Sequence, residues 1–92
     1  MIQSFKDAAT KELYESGTSK RWTSIKAVAL RKLDQLEASI NLSNLRIPPG
    51  NRLEALKGNR TGQHSIRIND QYRICFVWKD DGAHEVEITD YH

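Results

Sequence analysis

The chain ends on Asp90-Tyr91-His92, a carboxylate, a phenol and an imidazole in a row. Together they supply hydrogen-bond acceptors and donors and one group that titrates near neutral pH. A terminus is usually frayed and chemically plain, and a polar tail is the plain reading of these three. Upstream, Arg73 interrupts the apolar run from Tyr72 to Trp78. An arginine inside such a strand must be paired or face solvent. It can pair across strands with Glu85 or Glu87, or hold a rigid fork towards a phosphate. Glu54 and Lys57 flank a short run ahead of Arg60. Glu54 can accept a proton or pair with Arg52 or Lys57, and Lys57 can neutralise phosphate charge. Strict alternation puts Glu54 and Lys57 on opposite faces of a strand, so the strand must end, twist or bulge near Leu56 for both to serve one site.

Read together, these residues match metal-free cleavage of RNA. That reaction needs a base for the 2′-hydroxyl, cations for the charge gathering on the phosphate, and an acid for the departing 5′-oxygen. Glu54 or Asp90 can be the base, Lys57 and Arg73 can hold the phosphate, and His92 can be the acid. A terminal carboxylate beside His92 favours its protonated form. Tyr91 can stack on a base or orient the reacting groups. The scattered histidines, His64, His84 and His92, lack metal-ligand spacing. Gly58-x-x-x-Gly62 lacks the Gly-Lys-Ser/Thr ending of a phosphate-binding loop. No metal or other cofactor is expected.

Length and charge fit a surface that grips a large anion. At 92 residues the chain is one domain with a modest core and little room for a deep pocket. The net charge of +2 conceals an asymmetry. Residues 1–19 hold two lysines and three acids, net −1; residues 20–73 hold eleven basic residues and four acids, net +7; residues 74–92 hold one lysine and five acids, net −4. A basic middle attracts polyanions, and Lys26, Arg31, Lys32, Lys57 and Arg60 are candidates to meet RNA phosphates. Cys75 is the only cysteine, so no internal disulfide forms, and its apolar setting reads as core. No stretch approaches the ~18 apolar residues of a membrane span; a cytoplasmic protein is expected.

The elements that must position these groups follow from periodicity. Ile2 to Phe5 reads as a short strand and Asp7 to Ser16 as a helix closed by Gly17. Trp22 reads as packed against a helix. A second helix is expected from Ser24, as N-cap, to Ile40, with Ile25, Ala29, Leu33, Leu36 and Ile40 inward. Pro48-Pro49-Gly50-Asn51 opens a loop. Strands are expected over 53–56, 65–68, 72–78 and 86–89, with turns at 58–62, 69–70 and 80–82. The apolar run 72–78 suggests a central strand. The sum is an α+β domain with two helices on one face of a mostly antiparallel sheet, the other face open to a substrate.

The sequence resembles HigB toxins, the killer-protein branch of the RelE superfamily of bacterial type II toxin–antitoxin systems. The resemblance rests on Ile2-x-Ser4-Phe5, on Pro48-Pro49-Gly50-Asn51-Arg52-Leu53-Glu54-x-Leu56-x-Gly58-x-Arg60-x-Gly62, on Ser65-Ile66-x-Ile68-Asn69-x-Gln71-Tyr72-Arg73-Ile74-Cys75-Phe76, and on Glu87-Ile88-x-Asp90-Tyr91-His92. It implies a RelE-like microbial-ribonuclease fold and an endoribonuclease that cuts messenger RNA in the A site of the 70S ribosome. It implies a HigA-like helix-turn-helix antitoxin as partner, with operator DNA reached only through that antitoxin. Some HigB proteins have histidine where this chain has Glu54, whereas YoeB-like toxins use glutamate in a comparable role. Two other functions stay open: a gyrase inhibitor of the ParE type, which shares the fold, and a basic nucleic-acid-binding module without chemistry.

Overall fold

The computed structural model describes residues 1–90, and Tyr91 and His92 lie outside the described residues. Two helices precede a four-stranded sheet. Helix α1 spans Ala8–Ser16 and α2 spans Lys26–Ala38. The strands are β1 (Glu54–Ala55), β2 (His64–Arg67), β3 (Tyr72–Lys79) and β4 (Gly82–Asp90). They form an antiparallel meander in sequence order. The expected α+β architecture is present, and β3 is an interior strand. The expected N-terminal strand is a strap held by two parallel bridges to β4, Ile2 with Ala83 and Phe5 with Val86.

Alternation along the strands divides the sheet into two faces. Ile66, Ile74, Phe76, Val86 and Ile88 point into a core shared with Leu13, Ala29, Leu33 and Leu36 of the helices. Trp22 is buried there as expected, with its ring edge-on to Tyr72 at 5.5 Å. The opposite face carries Glu54, Ser65, Arg67, Arg73, Cys75, Glu87 and Thr89, which follows from the register of the three strand pairs.

Several boundaries differ from the periodic reading, three of them for a clear local reason. Helix α1 ends where expected: Gly17 adopts the left-handed conformation (φ 71°) and donates its N–H to the Leu13 carbonyl at 2.9 Å, a standard C-terminal cap. Helix α2 does not start on Ser24. A single 3₁₀ turn, Thr23–Ile25, leads into it, and Ser24 makes no cap. At its other end α2 stops at Ala38, and Ile40 is 84% exposed instead of inward. The Asn44 side chain accepts the N–H groups of both Ile40 and Asn41, and a 3₁₀ helix, Leu42–Arg46, starts in place of another α turn. That helix buries Leu45 completely, a core contact the periodicity did not reveal.

The third difference is β4, which runs four residues further back than expected, to Gly82. There the strap crosses so closely that a Cβ on Gly82 would lie 2.0 Å from the Met1 carbonyl oxygen. Only glycine fits, and its φ of 127° suits glycine alone. The expected strand over 53–56 shrinks to Glu54–Ala55.

Candidate active site

Arg73 projects from the middle of β3 onto the face away from the helices, and that face's own groups fix it from three sides. Its Nε donates to Ser65 Oγ at 2.7 Å, one terminal nitrogen donates to the Arg52 carbonyl at 2.7 Å, and the same nitrogen lies 3.3 Å from Glu54 Oε1. The side chain is 11% exposed and that of Glu54 is 52% exposed. Arg73 is therefore clamped, while its carboxylate partner remains accessible to a ligand. The sequence offered Glu85 or Glu87 as the ion partner; the structure supplies Glu54 from the strand two places away.

The Arg52 carbonyl is available because the loop before β1 is anchored. Asn51 is fully buried. Its Nδ2 donates to Gln35 Oε1 at 3.0 Å and to the Leu45 carbonyl at 3.1 Å, and its Oδ1 accepts from Lys32 Nζ. Arg52 next to it takes a left-handed conformation, φ 46°, uncommon for a residue with a Cβ. Lys32 is thus tied into the fold rather than displayed on an exposed helix side, and burial, with Arg31 beside it, lowers its pKa. Lys26 is partly buried and Arg31 exposed; both belong to α2, in the layer behind the sheet.

Strand β1 ends at Ala55, and the buried Leu56 donates its N–H to the Gln63 carbonyl at 2.9 Å. This early end meets the condition that alternation sets, because Lys57 lies beyond the pleat. Lys57 is exposed and, among the described residues, makes no ion pair. The following turn is a 3₁₀ helix, Gly58–Arg60, that leans across the face: Arg60 reaches Glu87 on β4, its guanidinium 3.4 Å from Oε1. Glu87 also holds Lys6 at 3.3 Å, and Thr89 Oγ1 donates to it at 3.0 Å. Beneath lies Cys75, fully buried, its thiol pushed up in pKa by burial and hydrogen-bonded to Thr89.

Asp90 sits elsewhere. It is opposite Tyr72 in the register, whereas Arg73 is opposite Thr89. Alternation therefore gives Asp90 the other face, and its Oδ2 accepts from Gln71 Nε2 at 3.2 Å. The two candidate bases are separated: Glu54 accompanies Arg73 and Asp90 does not. Tyr91 and His92 fall outside the described residues. Among the described residues no three His, Cys, Asp or Glu side chains gather closely enough to hold a metal ion. His84 pairs with Asp81 at 2.6 Å, which holds the Asp81 carboxyl below its usual range. His64 stacks on Phe76 with ring centroids 6.3 Å apart.

Sequence reasoning missed Ser65 and the Arg52 carbonyl as the clamp on Arg73, Asn51 as the anchor of the Arg52 loop, and Glu87 as the carboxylate that Arg60 and Lys6 share. Ser65 carried a faint signal: a lone hydroxyl two residues from Arg67 marks the polar face of β2.

A family model described as the RelE-like toxin of type II toxin–antitoxin system HigB matches residues 3–92. The chain is 46% identical over 85 residues to Toxin HigB-1 of Vibrio cholerae serotype O1, with 90% of each chain covered. It is 28% identical over 98 aligned positions to Endoribonuclease HigB of Proteus vulgaris, spanning the whole of both. Among solved structures, the YoeB–YefM complex from Staphylococcus aureus has a chain that matches with a TM-score of 0.62 at 23% identity, covering 100% of this chain and 98% of that one. The YoeB/ParE toxin from Agrobacterium tumefaciens matches with a TM-score of 0.56 at 21% identity, covering 98% and 99%. These two likenesses are of fold.

Proposed function

The chain belongs to the HigB-like family of RelE-like toxins of type II toxin–antitoxin systems, and from this premise we propose that it is a metal-independent endoribonuclease that cuts messenger RNA in the ribosomal A site, arresting translation. The observation that carries the reading is the pairing of a clamped Arg73 with the accessible Glu54 on the face the helices leave uncovered. Arg73 stabilises the phosphate as charge gathers on its oxygens, with Lys57 as a second cation. Glu54 takes the proton of the 2′-hydroxyl, the 2′-oxygen attacks phosphorus, and the bond to the 5′-oxygen breaks. His92 protonates the departing 5′-oxygen, and Tyr91 stacks on a base or orients the reacting groups. Placement favours Glu54 over Asp90 as the base, because Asp90 pairs off with Gln71 on the other face.

Endoribonuclease activity is what the name of the Proteus vulgaris relative states of that protein. Ribosome dependence is supported by how few acid–base groups the site offers. A face with few acid–base groups positions free RNA poorly, and a message held in line by the ribosome supplies the missing orientation. Lys26 and Arg31 on the helix layer then meet ribosomal RNA phosphates. Partners are a HigA-like helix-turn-helix antitoxin, through which alone operator DNA is reached, and the 70S ribosome with its message. The complex of the Staphylococcus aureus neighbour supports a toxin–antitoxin pair in general. The protein works in the cytoplasm, where ribosomes and messages are; no described helix is long and apolar enough to cross a membrane.

The test is primer extension on a defined message in a purified translation system, with a gyrase supercoiling assay in parallel. Cuts that require ribosomes, are lost in His92→Ala and leave gyrase active are expected. Absence of cuts with inhibited gyrase overturns the nuclease reading.

A further inference from the structure

The cluster around Glu87 has one cation more than its carboxylate needs. Lys6 and Arg60 both converge on Glu87, at 3.3 and 3.4 Å, and Thr89 adds a hydroxyl at 3.0 Å. Lys6 and Arg60 come from segments far apart in sequence, the strap and the β1–β2 turn, so the carboxylate is where two loops meet. The two basic side chains are 51% and 28% exposed, and Glu87 is 14% exposed. The carboxylate is enclosed while the cations around it remain within reach of solvent.

Position makes this more than a surface ion pair. Thr89 lies directly opposite Arg73 in the β3–β4 register, and Glu87 opposite Cys75. Opposed residues of an antiparallel pair stand about 4.5–5.5 Å apart at Cα, so the cluster adjoins the Arg73 clamp on the same face. Cys75 lies beneath the junction, near enough to Arg60, Arg73 and Glu87 to feel all three charges. A phosphodiester offers the same negative charge and acceptor oxygens as a carboxylate. Proteins that hold single-stranded nucleic acid do so with a run of cations along the backbone.

We propose that Lys6 and Arg60 form a second backbone-phosphate subsite beside Arg73, and that Glu87 is the internal carboxylate a phosphate displaces from it. The subsite rests on the reading of this face as an RNA site. With Glu87 in place the face is weakened for free RNA. A strand presented in line exchanges with it, releasing the β1–β2 turn from β4 at the same moment.

The experiment measures binding of a short single-stranded 2′-deoxy oligonucleotide, which lacks the attacking hydroxyl, across a range of sodium chloride concentrations. Wild type, Glu87→Gln and the double variant Lys6→Ala/Glu87→Gln are compared, each checked for cooperative melting. Two liberated cations steepen the slope of log K against log salt by about 1.4 in Glu87→Gln, at ~0.7 per phosphate neutralised on a single strand, and the double variant loses about half of that gain. Equal slopes in folded wild type and Glu87→Gln overturn the subsite, as does absence of binding by either. Should Glu87→Gln fail to fold, acetylation of Lys6 in Glu87→Ala decides: a saturating oligonucleotide protects the liberated Lys6 more than the exposed Lys79, and equal labelling overturns the proposal. Neither readout involves cleavage, so a steeper slope in a protein that cuts no message would keep the subsite and remove the nuclease.

Discussion

The two faces of this sheet are built by opposite rules. On β3, Ile74 and Phe76 point to the helices and are fully buried among apolar side chains. Arg73 and Cys75, alternating with them, meet polar neighbours: Ser65, Glu54, a loop carbonyl and Thr89. The helix face gains its stability from burial, which is non-directional and tolerant of detail. The other face depends on directed contacts, each lost if a partner moves. The first gives the molecule its fold, and the second holds a guanidinium and a carboxylate in a fixed relation. Stability and chemistry are therefore separable by mutation.

The largest expected effect is on the helix face. Phe76→Ala should cost about 3–5 kcal/mol, a large share of the ~5–15 kcal/mol typical of a domain, read by urea denaturation. A cost under about 1 kcal/mol would mean that the helices are not what the sheet rests on.

Asn51→Ala lies between the two rules. It removes a buried hub and leaves Lys32 and Gln35 without their partner, at about 1–3 kcal/mol. Because Asn51 sets the loop whose Arg52 carbonyl holds Arg73, message cleavage should fall by more than the melting change accounts for. Activity that merely tracks the folded fraction would show that the loop does not position Arg73.

A smaller effect comes from Cys75. Its folded pKa is raised by burial, so its contribution to stability is fully present below the unfolded thiol value of about 8.5 and is lost as pH climbs towards the folded value. Stability measured at rising alkaline pH should decline more steeply in wild type than in Cys75→Ala, by at most about 1.4 kcal/mol per pH unit. Parallel profiles would mean that the thiol is not enclosed beneath Arg60 and Arg73.

The smallest change in stability is expected at Arg31, exposed on α2. Arg31→Ala should shift it by no more than about 0.5 kcal/mol while reducing the salt dependence of ribosome binding. An unchanged salt dependence would remove the helix layer from the ribosomal contact.

This contrast also explains what could be read from the chain. The apolar period of Ala29, Leu33 and Leu36 and the run 72–78 located the helix-facing core, because burial leaves a repeat in sequence. Arg73 stood out as an anomaly for the same reason. Its partners did not, since Glu54, the Arg52 carbonyl and Ser65 lie 8 to 21 residues away and meet it only through the meander. The early end of β1 was legible only as a requirement, that Glu54 and Lys57 could not share a regular strand. Ile40 misled because a helical period continues past the point where Asn44 captures the backbone N–H groups. Family resemblance reached further than periodicity, singling out the run 48–62 before any contact in it was visible.

The central claim is that chemistry belongs to the face away from the helices and scaffolding to the other. Message cleavage on ribosomes by Arg73→Ala, beside wild type and Arg31→Ala at equal folded concentration, tests it most directly. The account predicts a fall of about 10²–10³ in the cleavage rate for Arg73→Ala, the cost of removing one preorganised charge-stabilising donor, with Arg31→Ala close to wild type at saturating ribosome. Cleavage by folded Arg73→Ala at the wild-type rate would contradict it.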